Sequence, residues 1–309
     1  GELIRILIHH PEANISALVS ASQAGKIVSE VHRDLTGECE LVFQKELNGN
    51  EDVIFLCSGH GHSESYLKTH PELLEKIVID LSSDFRLQGN HTFVYGLPEL
   101  NRELIQQAKH IANPGCFATC IQLALLPMVA ENELRADQGD VHVTAITGST
   151  GAGQQPSEFT HFSWRNNNLS VYKAFRHQHL DEIMQSLNQT ASEKVAPVHF
   201  VPMRGAFSRG ILASVTFKST LSLKKIESIY REFYTDAAFV HYTNLNPDLK
   251  QVVNTNKCLI NVQKEGDLLL IVSVIDNLLK GASGQAVQNM NLIFGLEESS
   301  GLKLKPSAY

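Results

Sequence analysis

The chain has 309 residues, 43% of them hydrophobic and 19% charged, enough to fill a substantial core and two domains of roughly 150 residues. Lys and Arg number 26 against 33 Asp and Glu, a formal net charge of −7, which argues against a nucleic-acid partner but leaves room for a few arginines converging on a small anion. The longest mostly apolar run, Leu268–Ile275, is far short of the roughly 20 residues of a membrane helix, and five scattered cysteines indicate free thiols and a cytoplasmic location.

In chain order, Leu3, Ile4, Leu7 and Ile8 recur at helical spacing and predict a helix that stops at the Pro11 region. A strand is expected over 15–20. The runs 53–57 and 77–79 are short and continuously apolar, as in strands of a parallel sheet covered on both faces. Predicted helices over 63–75 and 98–110 alternate with them, which indicates an open α/β sheet. Ligands of such sheets sit beyond the carboxyl ends of the strands, so 57–61 and 80–84, with Ser58 and Ser82, are expected to line a site. Beyond Asn113-Pro114-Gly115 the pattern changes. A helix over 117–135 bent at Pro127, a strand over 141–147, a glycine-rich loop and a short helix from His179 are expected. Strands over 195–201, 211–218, 258–262 and 268–275, with a helix over 221–233, predict an α+β unit with a mixed or antiparallel sheet. A closing helix over 282–292 returns to the first unit. The expected division is therefore 1–115 completed by 282–309, against 116–281.

Three constellations could carry chemistry. Cys116 follows Pro114-Gly115 at the mouth of a helix, where unpaired amides and the helix dipole favour a thiolate and can hold an oxyanion. Buried filler is the competing reading. Arg176-His177-Gln178-His179 is followed by Asp181 and Glu182, which suggests an acid–base histidine oriented by a carboxylate. His179 is the first choice, with Glu182 three residues on, and His177 the second; a surface turn capping a helix is the bland alternative. No second Cys or His pair stands at zinc spacing, so no metal is expected. Gly148-Ser149-Thr150-Gly151-Ala152-Gly153 follows a strand and can cradle a phosphate on backbone amides. Arg204 and Arg209 are candidate anion clamps or ordinary solvent-facing arginines.

Several stretches, in order along nearly the whole chain, add a resemblance. They are His60-Gly61-His62-Ser63, Ile79-Asp80-Leu81-Ser82-Ser83-Asp84-Phe85-Arg86, Tyr95-Gly96-Leu97-Pro98-Glu99 and Asn113-Pro114-Gly115-Cys116-Phe117-Ala118-Thr119. Ser149-Thr150-Gly151-Ala152-Gly153, His177-Gln178-His179, Arg209-Gly210-Ile211 and Asn277-Leu278-Leu279-Lys280-Gly281-Ala282-Ser283-Gly284-Gln285 follow. Together they resemble the N-acyl-gamma-glutamyl-phosphate reductases of arginine biosynthesis, relatives of aspartate-semialdehyde dehydrogenase. The resemblance implies a Rossmann-like NADP(H) domain and a second domain through which members form homodimers or homotetramers. It implies NADPH-dependent reduction of an acyl phosphate to a semialdehyde with release of inorganic phosphate. Acetyl is the default acyl group, with a succinyl or an aminoadipyl substrate as the alternatives. A cysteine acyltransferase or hydrolase without a nicotinamide is the rival that the Cys–His pair alone allows. By the same resemblance Cys116 carries a thioester and His177 and His179 supply acid–base chemistry, with Glu182 added by its spacing to His179. Arg86, Arg204, Arg209 and Asn113 are expected at the substrate or its leaving phosphate. Ser20, Ser22, Lys26, Ser58, Ser82, Gly148, Ser149, Gly151, Gly153, Asn277, Gly281 and Gln285 are expected along the cofactor. The family's opening strand and glycine-rich turn precede the residues that match Gly1-Glu2-Leu3, so a further N-terminal piece is expected. Ser20-Ala21-Ser22 lacks the arginine of many relatives, which leaves Lys26 nearest the adenosine phosphate, and 203–209 is longer than in many relatives.

Overall fold

The computed structural model describes residues 1–153 and 155–308; Gln154, and Tyr309 at the end of the expected 282–309 piece, lie outside the described residues. Helix α1 (Glu2–Leu7) buries Ile4 and Ile6, and a single turn, α2 (Val28–Val31), buries Val28. The predicted 15–20 strand is extended but forms no ladder. It meets 42–44 only through a bridge between Val19 and Gln44, because the opposing segment bends away at 45–46. Its apolar side chains still find cover, with Ile15 and Leu18 against Ile4, Val28, Leu35 and Phe43.

Strand β1 (Val53–Leu56), helix α3 (Ser63–Thr69), strands β2 (Ile77–Asp80) and β3 (Val94–Tyr95), helix α4 (Pro98–Gln107) and strand β4 (His110–Ala112) form the first layer pair. The sheet order is β1-β2-β4-β3 and every pairing is parallel. The predicted 63–75 helix divides at Pro71, which lacks a donor and pushes His70 out of the helical region (φ −130°, ψ 62°). The 98–110 helix stops at Gln107, and His110 instead starts β4, since its neighbours are claimed by the parallel ladder to β2.

Helix α5 (Cys116–Ala130) is buried along every side chain from Phe117 to Val129, which explains its lack of a polar face. It is shorter than the predicted 117–135, ending where Asn132 turns into the left-handed region (φ 59°). Strands β5 (Val141–Thr147) and β6 (Ser170–Val171), the latter after a single turn α6 (Phe162–Arg165), precede helix α7 (His179–Thr190). Then come β7 (Val198–Arg204), β8 (Ile211–Lys218), helix α8 (Leu223–Phe233), β9 (Val240–Tyr242), β10 (Cys258–Glu265) and β11 (Leu268–Ile275). They build a mixed sheet of order β6-β7-β5-β8-β11-β10-β9, parallel at β5–β7 and β9–β10 and antiparallel elsewhere. One face receives α5, flanked by α7 and α8. Helix α9 (Ser283–Ile293) packs on α1 and α4, so Leu279, Ala286, Val287 and Met290 share a core with Ile6, Ile79, Ile105 and Ile111. Among the described residues no helix is long and apolar enough to cross a membrane.

Candidate active site

The turn between β4 and α5 is gripped from several sides. Asn113 N–H donates to the Asp80 carbonyl (2.8 Å), its side chain donates to Ala282 O (3.0 Å), and its Oδ1 accepts from Asn289 (3.2 Å). Arg86 is 5% exposed and sends Nε to Asn113 O (2.9 Å), Nη2 to Leu81 O (3.0 Å) and Nη1 to Glu182 Oε1 (3.1 Å). The other oxygen of Glu182 accepts from Gly115 N–H (2.9 Å) and Tyr95 O–H (3.0 Å). A Cβ on Gly115 would overlap His179 Nε2 and stand 2.7 Å from Arg86 Nη1, so only glycine lets α7 approach this closely. Gly281 closes the turn from the other side: a Cβ there would lie 2.7 Å from that of Cys116.

Cys116 is half-buried at the first position of α5, between Gly115, which packs against the His179 ring, and Phe117, which meets the rings of His177 and His179. His177 and His179 lie 4.6 Å apart, centroid to centroid, and Phe117 meets His177 edge-on at 5.5 Å. His177 Nδ1 accepts the backbone N–H of His179 (3.2 Å), while buried His179 Nδ1 has no hydrogen-bond partner. Burial pushes the Cys116 thiol up to about 11, against Arg86 and the amides of Phe117 and Cys116 itself. The thiolate expected from the helix terminus is therefore outweighed by desolvation, and Cys116 is a thiol at rest. Burial, with Lys173 and Arg204, brings His177 down to about 4; burial, then Arg86, His177 and His60, holds His179 well below its usual range. Both imidazoles are neutral at physiological pH, the form that can take a proton from a thiol.

Glu182 does not orient His179 as the spacing suggested. Its Oε1 lies 3.9 Å from His179 Nε2, outside hydrogen-bond reach, because both oxygens are held by Arg86, Tyr95 and Gly115. Arg209 is not an open anion clamp either. Its guanidinium lies between Glu2 (2.8 and 3.1 Å) and Asp276 (3.0 Å), joining α1 to the end of β11. Arg204 differs from both. Its guanidinium stands 4.7 Å over the Tyr172 ring, its buried Nε has no partner, and no carboxylate pairs with it among the described residues.

The glycine loop is closed as a phosphate cradle. The amides of Gly148, Ser149, Thr150, Gly151 and Gly153 all donate within the loop or to 207–210. Asn277 ties it down, accepting from Gly210 N–H (2.7 Å) and donating to Thr150 (3.0 Å). At the carboxyl ends of β1 and β2, buried Asp80 binds the hydroxyls of Ser63 and Ser82 (both 2.6 Å), and exposed Ser58 lies 3.2 Å from Ser63. Ser20, Ser22 and Lys26 lie at a surface turn, Lys26 bonding Gln23 (2.9 Å). On the catalytic side Gln285 donates to Thr119 (3.1 Å), but its buried Oε1 has no donor. An unfilled buried acceptor beside the nucleophile's helix suits the carboxamide N–H of a nicotinamide, so these residues fit the expected cofactor. Among the described residues no group of three His, Cys, Asp or Glu is placed to hold a metal ion. Tyr95 and Gln122, which donates to Tyr95 OH (3.0 Å), were missed by sequence reasoning. For Tyr95 the available signal was its place in a recognisable stretch, and for Gln122 there was none, since their partner Glu182 is 87 and 60 residues away.

Over its whole length and 96% of the relative's, the chain is 55% identical to the N-acetyl-gamma-glutamyl-phosphate reductase of Parabacteroides distasonis. The chain belongs to this reductase family. It is also 56% identical to the N-acetyl-gamma-glutamyl-phosphate reductase of Christiangramia forsetii, covering 99% of this chain and 94% of that one. In line with the family, residues 1–108 match the semialdehyde dehydrogenase NAD binding domain and 116–277 the semialdehyde dehydrogenase dimerisation domain. Aspartate semialdehyde dehydrogenase II of Vibrio cholerae shares the fold, with a TM-score of 0.70 at 17% identity over 96% of this chain and 95% of that one.

Proposed function

We propose that the chain reduces N-acetyl-gamma-glutamyl phosphate to N-acetylglutamate 5-semialdehyde with NADPH, releasing phosphate, in arginine biosynthesis. The observation that carries the reading is a thiol at the mouth of α5 whose two neighbours, Gly115 and Phe117, both pack against neutral, buried His179, in a chain 55% identical end to end to a reductase of that name. Neutral His179 takes the Cys116 proton as sulfur attacks the acyl carbonyl. The C–O bond to phosphate breaks, phosphate departs with the electron pair, and a thioester remains on Cys116. The amides that open α5 face the developing oxyanion. NADPH, when bound, supplies the hydride that takes the thioester to the aldehyde level. Protonated His179 returns its proton to the carbonyl-derived oxygen, then removes it again as the C–S bond breaks with its electron pair going to sulfur, and passes it to that sulfur, which leaves the aldehyde, the Cys116 thiol and a neutral imidazole. Ser58 and Ser82, with Ser20, Ser22 and Lys26, would hold the cofactor on the first sheet; on the catalytic side Gln285 would hold it, with Gly281, Asn277 and the closed loop at Gly148, Ser149, Gly151 and Gly153 as walls rather than as amide donors. The division at 1–115 with 282–309, against 116–281, assigns binding to the first sheet and chemistry and assembly to the second. The matched dimerisation domain supports a homodimer or homotetramer, and five free thiols support a cytoplasmic setting. The direct test is phosphate-dependent reduction of NADP by N-acetylglutamate semialdehyde. Cofactor-independent hydrolysis of the acyl phosphate, with no reduction of NADP, would favour a cysteine hydrolase instead.

Arg204 is the arginine left to read a substrate anion, because Arg86 and Arg209 already have carboxylate partners. In R204Q, kcat/KM for the semialdehyde is expected to fall by about 2–5 kcal/mol, roughly 30-fold or more. A rise confined to the KM for inorganic phosphate would place Arg204 at the leaving group. A loss confined to N-succinylglutamate semialdehyde would place it at the acyl end. Unchanged constants for all three would remove Arg204 from the site.

A further inference from the structure

One buried carboxylate joins three distant segments at the nucleophile turn. Tyr95, at the end of β3 and 7% exposed, donates its hydroxyl to Glu182 Oε2 (3.0 Å). Gln122, from the body of α5, donates to the Tyr95 oxygen (3.0 Å) and to the backbone carbonyl of Glu182 (3.0 Å). The same Oε2 accepts Gly115 N–H (2.9 Å), while Oε1 accepts Arg86 (3.1 Å). The terminal torsion of a glutamate is broad, so each donor narrows the carboxylate plane. Arg86 and Gly115 restrict it from one oxygen each, and Tyr95, itself braced by Gln122, adds a third donor on Oε2.

We propose that Tyr95 is a positioning residue of this site, acting through Glu182 to hold the Gly115–Cys116 turn against His179. It does not touch substrate. Its hydroxyl sets the direction of Oε2, Oε2 sets the Gly115 amide, and the amide sets where the Cys116 sulfur starts. The inference rests on the reading of Cys116 as the nucleophile, and its first readout does not need reductase turnover.

Y95F keeps the ring and removes the donor. Alkylation of Cys116 by iodoacetamide, followed by mass spectrometry without substrate or NADP, is expected to slow by about tenfold, since small misplacements at a reacting atom cost that much or more. In turnover, kcat is expected to fall in parallel, with KM for semialdehyde and phosphate within about twofold of wild type and the melting temperature close to it. The decisive comparison is a cycle with E182Q. If Tyr95 acts through Glu182, Y95F/E182Q is no slower than E182Q. Losses that multiply in the double variant would overturn the proposal, as would Y95F with wild-type alkylation and kcat, or an effect on KM alone. Should Y95F fail to fold, Q122M, which removes the brace on Tyr95 together with the bond to the Glu182 carbonyl, is expected to move alkylation and kcat in the same direction by less; wild-type values for both would equally overturn it. A wild-type protein that shows no reductase turnover, yet shows the alkylation difference, would sink the reductase reading while leaving Tyr95 in place.

Discussion

Serine at position 116 is expected to lower phosphate-dependent NADP reduction by about 10⁴-fold or more while leaving the fold and NADP binding intact. The reason is visible in the resting site: burial already pushes the thiol up to about 11, and a serine hydroxyl in the same place is a far poorer source of a nucleophile. Incubation with acyl phosphate and no NADPH should leave a mass adduct on Cys116 of the wild-type protein and none on C116S. Cys120 is four residues along the same helix but is buried, with its sulfur 3.4 Å from the Ser273 carbonyl and hydroxyl, so it offers no open thiol. An adduct on Cys120, or full activity in C116S, would end the thioester assignment.

The second large effect is expected at His179. H179N should lower kcat by about 10²–10⁴ with little change in KM, because asparagine keeps some hydrogen bonding but cannot carry the proton. His177 is expected to matter less, since its Nδ1 is engaged by the His179 amide and its ring is packed edge-on by Phe117. Steady-state constants for H177N and H179N decide between them. A fast H179N with a collapsed H177N would exchange their roles, and two fast variants would remove acid–base catalysis from the pair.

Much of this site was legible because its parts are local. Cys116 stands out as the residue after Pro-Gly at a helix start, and the His177/His179 pair as two histidines beside a carboxylate, patterns that need only a few residues of sequence. The work of Glu182 was not legible. A spacing of three suggested His179 as its partner, yet its bonds go to Gly115, 67 residues away, to Tyr95, 87 away, and to Arg86, 96 away. Arg209 read as a free clamp because Glu2, its partner, is 207 residues distant. The glycine loop read as open because no sequence pattern says which carbonyls its amides meet.

The amino-acid sequence by itself determined the local periods: the continuous apolar runs that became parallel strands, the helix that begins after Pro114-Gly115, the longer strands of the second sheet, and the motifs that place a cysteine and two histidines at or near element ends. These follow from side-chain burial along one segment, which needs no knowledge of the neighbour. Tertiary structure alone decided whether a segment found a partner, as at 15–20, and which donors met which acceptors. It also decided the state of the nucleophile. The helix terminus that the sequence displays favours a thiolate, but desolvation by the packing around the turn, where Gly281 closes on Cys116, is the larger effect, and it leaves Cys116 a thiol that needs a base.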